Sequence, residues 1–192
     1  MYKNPKLKLL RLLVLFFFTV SLSQAQQYDL NNKESVLTVL GTSSLHDWHI
    51  TSENQSGKIV FTNLNTCEIE SLNISIIAES LKSGKSSMDK NTYKALKTNK
   101  YKANTFQLVK IKEVKYNGNG KFSVKSLGDL TITGVKKQIS LDFNMNITSD
   151  KISLVGEKKI KMTDFNIDPP KALFGTITTG DDLTIEFSTI FR

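Results

Sequence analysis

The side chains best able to do chemistry are gathered in one place. His46, Asp47, Trp48 and His49 include both histidines and the single tryptophan of the chain. Two histidines beside a carboxylate could bind a metal or exchange a proton. Their spacing opposes both uses. In an extended strand, His46 and His49 point to opposite faces. No second group of His, Cys or paired carboxylates stands elsewhere to complete a tetrahedral set. Nucleophilic chemistry fares no better, because no Gly-x-Ser-x-Gly occurs. Gly41-Thr-Ser-Ser44 lacks the glycine and lysine spacing of a phosphate loop. Cys67 is the only cysteine, so no internal disulfide forms, and it reads as a buried thiol rather than a nucleophile. Neither catalysis nor a metal site is expected. Two readings of the histidine segment stay open. Trp48 packs inward at a polar strand end whose His46 and Asp47 bond to backbone, or His46 and Asp47 form the rim of a cavity and touch a ligand's head group.

The elements that must position these residues are strands. Between Gly128 and Ile147, Leu130 and Ile132 alternate with threonines. Ile139, Leu141, Phe143, Met145 and Ile147 then alternate with polar residues. This period of two gives one dry and one wet face. Gly134 breaks the run, and the turn is assigned to it and Val135-Lys136-Lys137. Further strands are expected at 35–40, 46–50, 58–62, 68–80, 105–116, 121–125, 151–162 (interrupted at Gly156) and 182–191. A polar turn is expected at 52–57, a hairpin turn at Asn117-Gly-Asn-Gly120, and a further turn at Asp181-Asp182. The apolar parity shifts between Leu108 and Val109, which predicts a bulge. Residues 87–97 lose the strand pattern and read as one short helix. Pro169-Pro170 keep the 163–175 loop out of any central strand. The result is an all-β fold of about eight antiparallel strands in a single barrel or sandwich. Closure is favoured because the long last strand would be an aggregation-prone edge.

The face proposed to point inward holds Trp48, Ile59, Phe61, Leu72, Ile74, Ile76, Phe106, Leu130, Ile132, Leu141, Phe143, Met145, Leu183, Ile185 and Phe187. An eight-stranded barrel can fill itself or hold one slender ligand. Alternation alone does not distinguish side chains that meet from side chains that surround a cargo.

The start of the chain has a separate role. Lys3, Lys6, Lys8 and Arg11 precede the apolar run Leu12–Leu22, and Ser23-Gln-Ala25 supplies small residues for cleavage. Residues 1–25 therefore read as a secretory signal peptide, leaving 26–192 as one domain in the periplasm or outside the cell. The signal carries four basic and no acidic side chains, so the net charge of +8 falls to +4 without it. This dispersed charge is too weak to argue for nucleic acid, and no nucleic-acid partner is expected. It suits transient contact with an anionic membrane surface.

Three stretches also resemble a family. Gly41-Thr-Ser-Ser-Leu-His-Asp-Trp48 with Gly57-Lys-Ile, Tyr93-Lys-Ala-Leu-Lys with Tyr101-Lys-Ala-Asn-Thr-Phe106, and above all Gly128-Asp-Leu-Thr-Ile-Thr-Gly-Val-Lys-Lys-Gln-Ile-Ser-Leu141 are similar to the YceI-like proteins. Lys102 and Thr105 stand where many members have proline and isoleucine. The resemblance implies a lipocalin-like eight-stranded barrel that holds a polyisoprenoid, a quinone or a similar apolar lipid without catalysis and without a cofactor. The protein would be a monomer or homodimer. A solid-core barrel that binds a protein partner through its surface or the 163–175 loop is the competing expectation.

Overall fold

The computed structural model describes residues 25–192. The signal segment, apart from Ala25, lies outside the described residues. The chain is an antiparallel meander that returns to its own beginning. β1 (Gln26–Asp29) and β2 (Val36–Ser43) make the first stave, β3 (Trp48–Ser52) and β4 (Gln55–Asn63) the second, and β5 (Glu68–Ile77) and β6 (Leu81–Lys82) the third. β7 (Ala103–Tyr116), β8 (Lys121–Ile132), β9 (Val135–Ile147), β10 (Ile152–Lys161) and β12 (Ile177–Phe191) are the other staves, with the short β11 (Lys171–Ala172) laid beside β12. Each stave pairs with the next, and β12 pairs back onto β2 between Thr179 and Ser188. Asp29 and Arg192 exchange two backbone hydrogen bonds of 2.9 Å, which carries the closure to the chain end. The fold is thus the expected eight-stave, lipocalin-like barrel.

The first three staves are broken at one level, and this corrects the expected turn at 52–57. The chain bends at Glu53 and Asn54 and runs on as β4. Its polar residues bind the neighbouring stave instead of closing a hairpin. The Asn54 carbonyl accepts the Ile77 N–H and the Ser80 hydroxyl, both at 3.1 Å, and Glu53 N–H donates to the Ser80 carbonyl at 2.9 Å. Ser35 does the same work in the first stave, where its hydroxyl oxygen accepts the Ile190 N–H at 2.9 Å.

Four other local expectations change. The turn between β8 and β9 needs only Thr133 and Gly134, at φ 49° and 74°, the two positive values that a tight hairpin requires. Val135 to Lys137 already belong to β9. β10 runs unbroken through Gly156 because the Phe187 ring covers the missing side chain. Asp181 lies within β12, where the ladder slips between Thr179 and Leu183. Its carboxylate accepts the N–H and hydroxyl of Thr163 at 2.9 and 2.7 Å, and these bonds hold its pKa below the ordinary carboxylate range. The helix α1 (Ser86–Ala95) begins one residue early and ends two early. No side chain caps its start; the carboxylate of Asp89 in its first turn accepts the N–H and hydroxyl of Ser83 at 2.8 and 2.6 Å and fixes the entry loop. The bulge at Leu108–Val109 is present as a register shift between Leu108 and Lys110.

The barrel has two unlike ends. At one, the turns at 64–67, 117–120 and 148–151 close over a packed interior of Ile59, Phe61, Leu72, Val124, Phe143, Met145, Leu154 and Phe191. At the other, α1 and the 163–175 segment lie across the opening. No residue of α1 is buried, so the helix covers the barrel without entering its core.

Candidate functional site

The half under α1 is hollow. It encloses a cavity of about 430 Å³, within the size range of small-molecule sites. Of the residues proposed to point inward, Trp48, Ile74, Ile76, Phe106, Leu130, Ile132, Leu141, Leu183, Ile185 and Phe187 line it. Ile59, Phe61, Leu72, Phe143 and Met145 do not. They sit in the packed end, where the walls meet and leave no space. All fifteen point inward as their alternation requires. Which half they occupy depends on height along the barrel axis, and alternation carries no information about height.

Local folding explains how the hollow is kept open. Three inward glycines lie against aromatic rings from neighbouring positions: Gly41 under Trp48, Gly128 under Phe106, and Gly156 under Phe187. Gly41 and Trp48 are direct cross-strand partners, as are Gly156 and Phe187. Each ring occupies the space that a Cβ on its glycine would need. The Trp48 ring is fixed further by its Nε1–H, which donates to the Thr42 carbonyl at 2.9 Å.

The rest of the lining comes from elements that sequence alone did not assign to it. Leu37 and Val39 of β2 and Ile160 of β10 contribute from strands, Met88 and Leu96 from the helix region, and Met162, Phe165 and Ile167 from the segment after β10. Leu37 and Val39 have the alternation that could have revealed them. Phe165 and Ile167 have no such signal. Phe165 is placed by the buried Thr133 hydroxyl, which donates to its carbonyl at 2.6 Å.

His46 is at the mouth of the cavity, with Nδ1 2.7 Å from the Asp47 carbonyl oxygen. Asp47 is exposed and does not line the cavity, and His49 faces solvent on the other side of the strand. Among the described residues, no three His, Cys, Asp or Glu side chains are grouped to hold a metal ion. Cys67 lies in the packed end with its Sγ 3.4 Å from the Met145 sulfur. Burial pushes its thiol pKa up to about 11, which keeps it protonated and inert at neutral pH. The cavity is therefore a largely apolar chamber with a polar mouth.

Comparison with known proteins gives a consistent picture. The YceI-like domain profile matches residues 28–191. No curated protein sequence matches significantly. Among solved structures, the chain is similar to BcnA of Burkholderia cenocepacia, at 16% identity and a TM-score of 0.67 over 84% of this chain and 98% of that one. It is similar to a polyisoprenoid binding domain from Saccharophagus degradans, at 14% identity and a TM-score of 0.66 over 86% and 97%. It also resembles a YceI protein of Campylobacter jejuni, at 25% identity and a TM-score of 0.56 over 72% and 81%.

Proposed function

The chain belongs to the YceI-like family, and from that premise we propose that it is a non-catalytic carrier that holds one long apolar lipid in the hollow half of its barrel. The observation that carries this reading is the division of the interior. One half is packed solid, while the other keeps about 430 Å³ free behind a lining that is mostly aliphatic and aromatic. A cavity of that kind has no use for water. A hydrocarbon chain gains roughly 0.8 kcal/mol for each CH₂ it buries there. The polyisoprenoid binding domain from Saccharophagus degradans shares the fold, which supports an isoprenoid or quinone-like tail as one cargo class. Export through residues 1–25 would place the carrier in the periplasm or outside the cell, where apolar lipids need an escort through water.

A solid-core interaction module would need an interior filled along the whole barrel, and the half under α1 keeps about 430 Å³ free, which favours the carrier reading. Native mass spectrometry of protein purified without denaturant tests the carrier reading. The expected result is a single co-purifying hydrophobic adduct per chain, removable by organic extraction. A ligand-free protein that also refuses polyprenyl, quinone and fatty-chain probes would overturn it.

A further inference from the structure

The barrel wall has a split that the turn pattern does not require. β9 and β10 pair only from Ile147 with Ile152 to Phe143 with Gly156. Beyond that pair, β9 continues to Val135 and β10 to Lys161 without a ladder between them. The split is closed at its far end by an ion pair, Lys137 Nζ to Asp164 Oδ1 at 3.3 Å. Lys158 stands in the middle of it. Its place between Gly156 and Ile160 gives it inward parity, and it lines the chamber. Its Nζ reaches Ser140 Oγ on the opposite strand at 3.3 Å. Among the described residues, no carboxylate lies within ion-pair distance of it. A lysine in this setting lays its methylene stem along apolar surface and takes its ammonium toward water.

The chamber is also one-sided in charge. His46, Lys85, Lys158 and Lys171 are its ionisable lining groups, and no Asp or Glu of the described residues lines it. A neutral cargo would leave the Lys158 ammonium held by one neutral hydroxyl. An anionic group placed in the split would form a charge-assisted bond with it, which is stronger than a neutral one. The size of the chamber sets the rest of the molecule. A methylene has about the volume of a water molecule, roughly 30 Å³, so a single chain with about 14 enclosed methylenes fills the hollow of about 430 Å³.

Resting on the carrier reading above, we propose that the cargo is a single-chain anionic amphiphile. Its carboxylate or phosphate head is seated in the split between β9 and β10 against Lys158, and its tail lies in the chamber toward Trp48. The head group stays in contact with solvent while the chain is enclosed.

The test is displacement of the neutral dye N-phenyl-1-naphthylamine by hexadecanoate, hexadecyl phosphate and hexadecanol at pH 8. Wild-type protein should prefer at least one of the two anions over the alcohol by roughly tenfold, the scale of one bond to a charged group, and which anion wins identifies the head group. Lys158→Met keeps the stem and should lose that preference while binding the alcohol as before. Lys85→Met with Lys171→Met should keep it. Equal binding of all three by wild-type protein, or loss of preference only in the Lys85 and Lys171 variant, overturns the proposal. If none displaces the dye, the carrier reading fails and the proposal falls with it.

Discussion

The indole of Trp48 lies over the bare backbone of Gly41, its direct partner in the ladder between β2 and β3. A side chain on Gly41 would collide with that ring. Trp48 is the only tryptophan and lines the chamber, so its emission reports on the cargo. Filling the chamber should shift the emission to the blue and protect it from acrylamide. Gly41→Ala should push the indole off the wall, red-shift the empty protein and weaken lipid uptake. An emission spectrum indifferent to both changes would show that Trp48 does not face the cargo.

The two halves of the barrel should respond oppositely to mutation. Leu130→Trp places bulk in the hollow half and should abolish lipid uptake with a thermal midpoint close to wild type. Leu154→Ala removes a core side chain only 1% exposed and should cost about 2 to 5 kcal/mol, with uptake retained below the lowered midpoint. Paired denaturation and dye-binding curves check both. A Leu130→Trp variant that still binds would place the cargo elsewhere.

Thr133 joins the β8–β9 turn to the floor of the mouth segment. It is buried at φ 49°, an uncommon conformation for a β-branched residue. Its hydroxyl is the hydrogen-bond donor to the Phe165 carbonyl. Thr133→Val keeps the shape and leaves that carbonyl without the bond, so stability should fall by about 1 to 3 kcal/mol. Amide exchange should rise across residues 162–167 ahead of the packed end. Uniform exchange in both regions would refute a local role.

Cys67 links the packed end to alkaline stability. Burial raises its pKa from 9.0 to about 11. The folded state therefore prefers the neutral thiol more than the unfolded chain does. The associated stability is complete below pH 9.0 and is lost as pH rises from there through about 11. Native protein at pH 8 should not react with a disulfide reagent and should release one equivalent of thiol on unfolding. Cys67→Ala should flatten the alkaline limb of the stability profile. Fast labelling of native protein would mean that this end is open.

The fold was legible because barrels are written in alternation. The run from Ile139 to Ile147 fixed its own inward face, and Gly134 and Asn117-Gly118 marked their turns. Height was not written. Met145 and Leu141 lie on one strand with one parity, yet one is packed against Cys67 and the other borders the cavity. The difference arises from α1 and Phe165, which hold one end open and covered, and neither carries a period-two signal. The bend at Glu53–Asn54 was read as turn chemistry because polar residues bridging two staves have the same composition as polar residues closing a hairpin, and the break at Ala78–Ser80 was read as unbroken strand over 68–80. Lys158 was missed for a related reason. An inward lysine breaks the alternation and looks like solvated surface until the split beside it is seen.

The central claim is that a lipid chain occupies the half of the barrel between Trp48 and Phe187. The most direct measurement is a crystal structure with a sixteen-carbon chain brominated at its terminal carbon, read at the bromine absorption edge. An anomalous peak inside the barrel, among Trp48, Ile76, Leu130 and Ile185, is the predicted result. A peak confined to the outer surface, or an interior whose walls have closed together with no peak, would contradict the account.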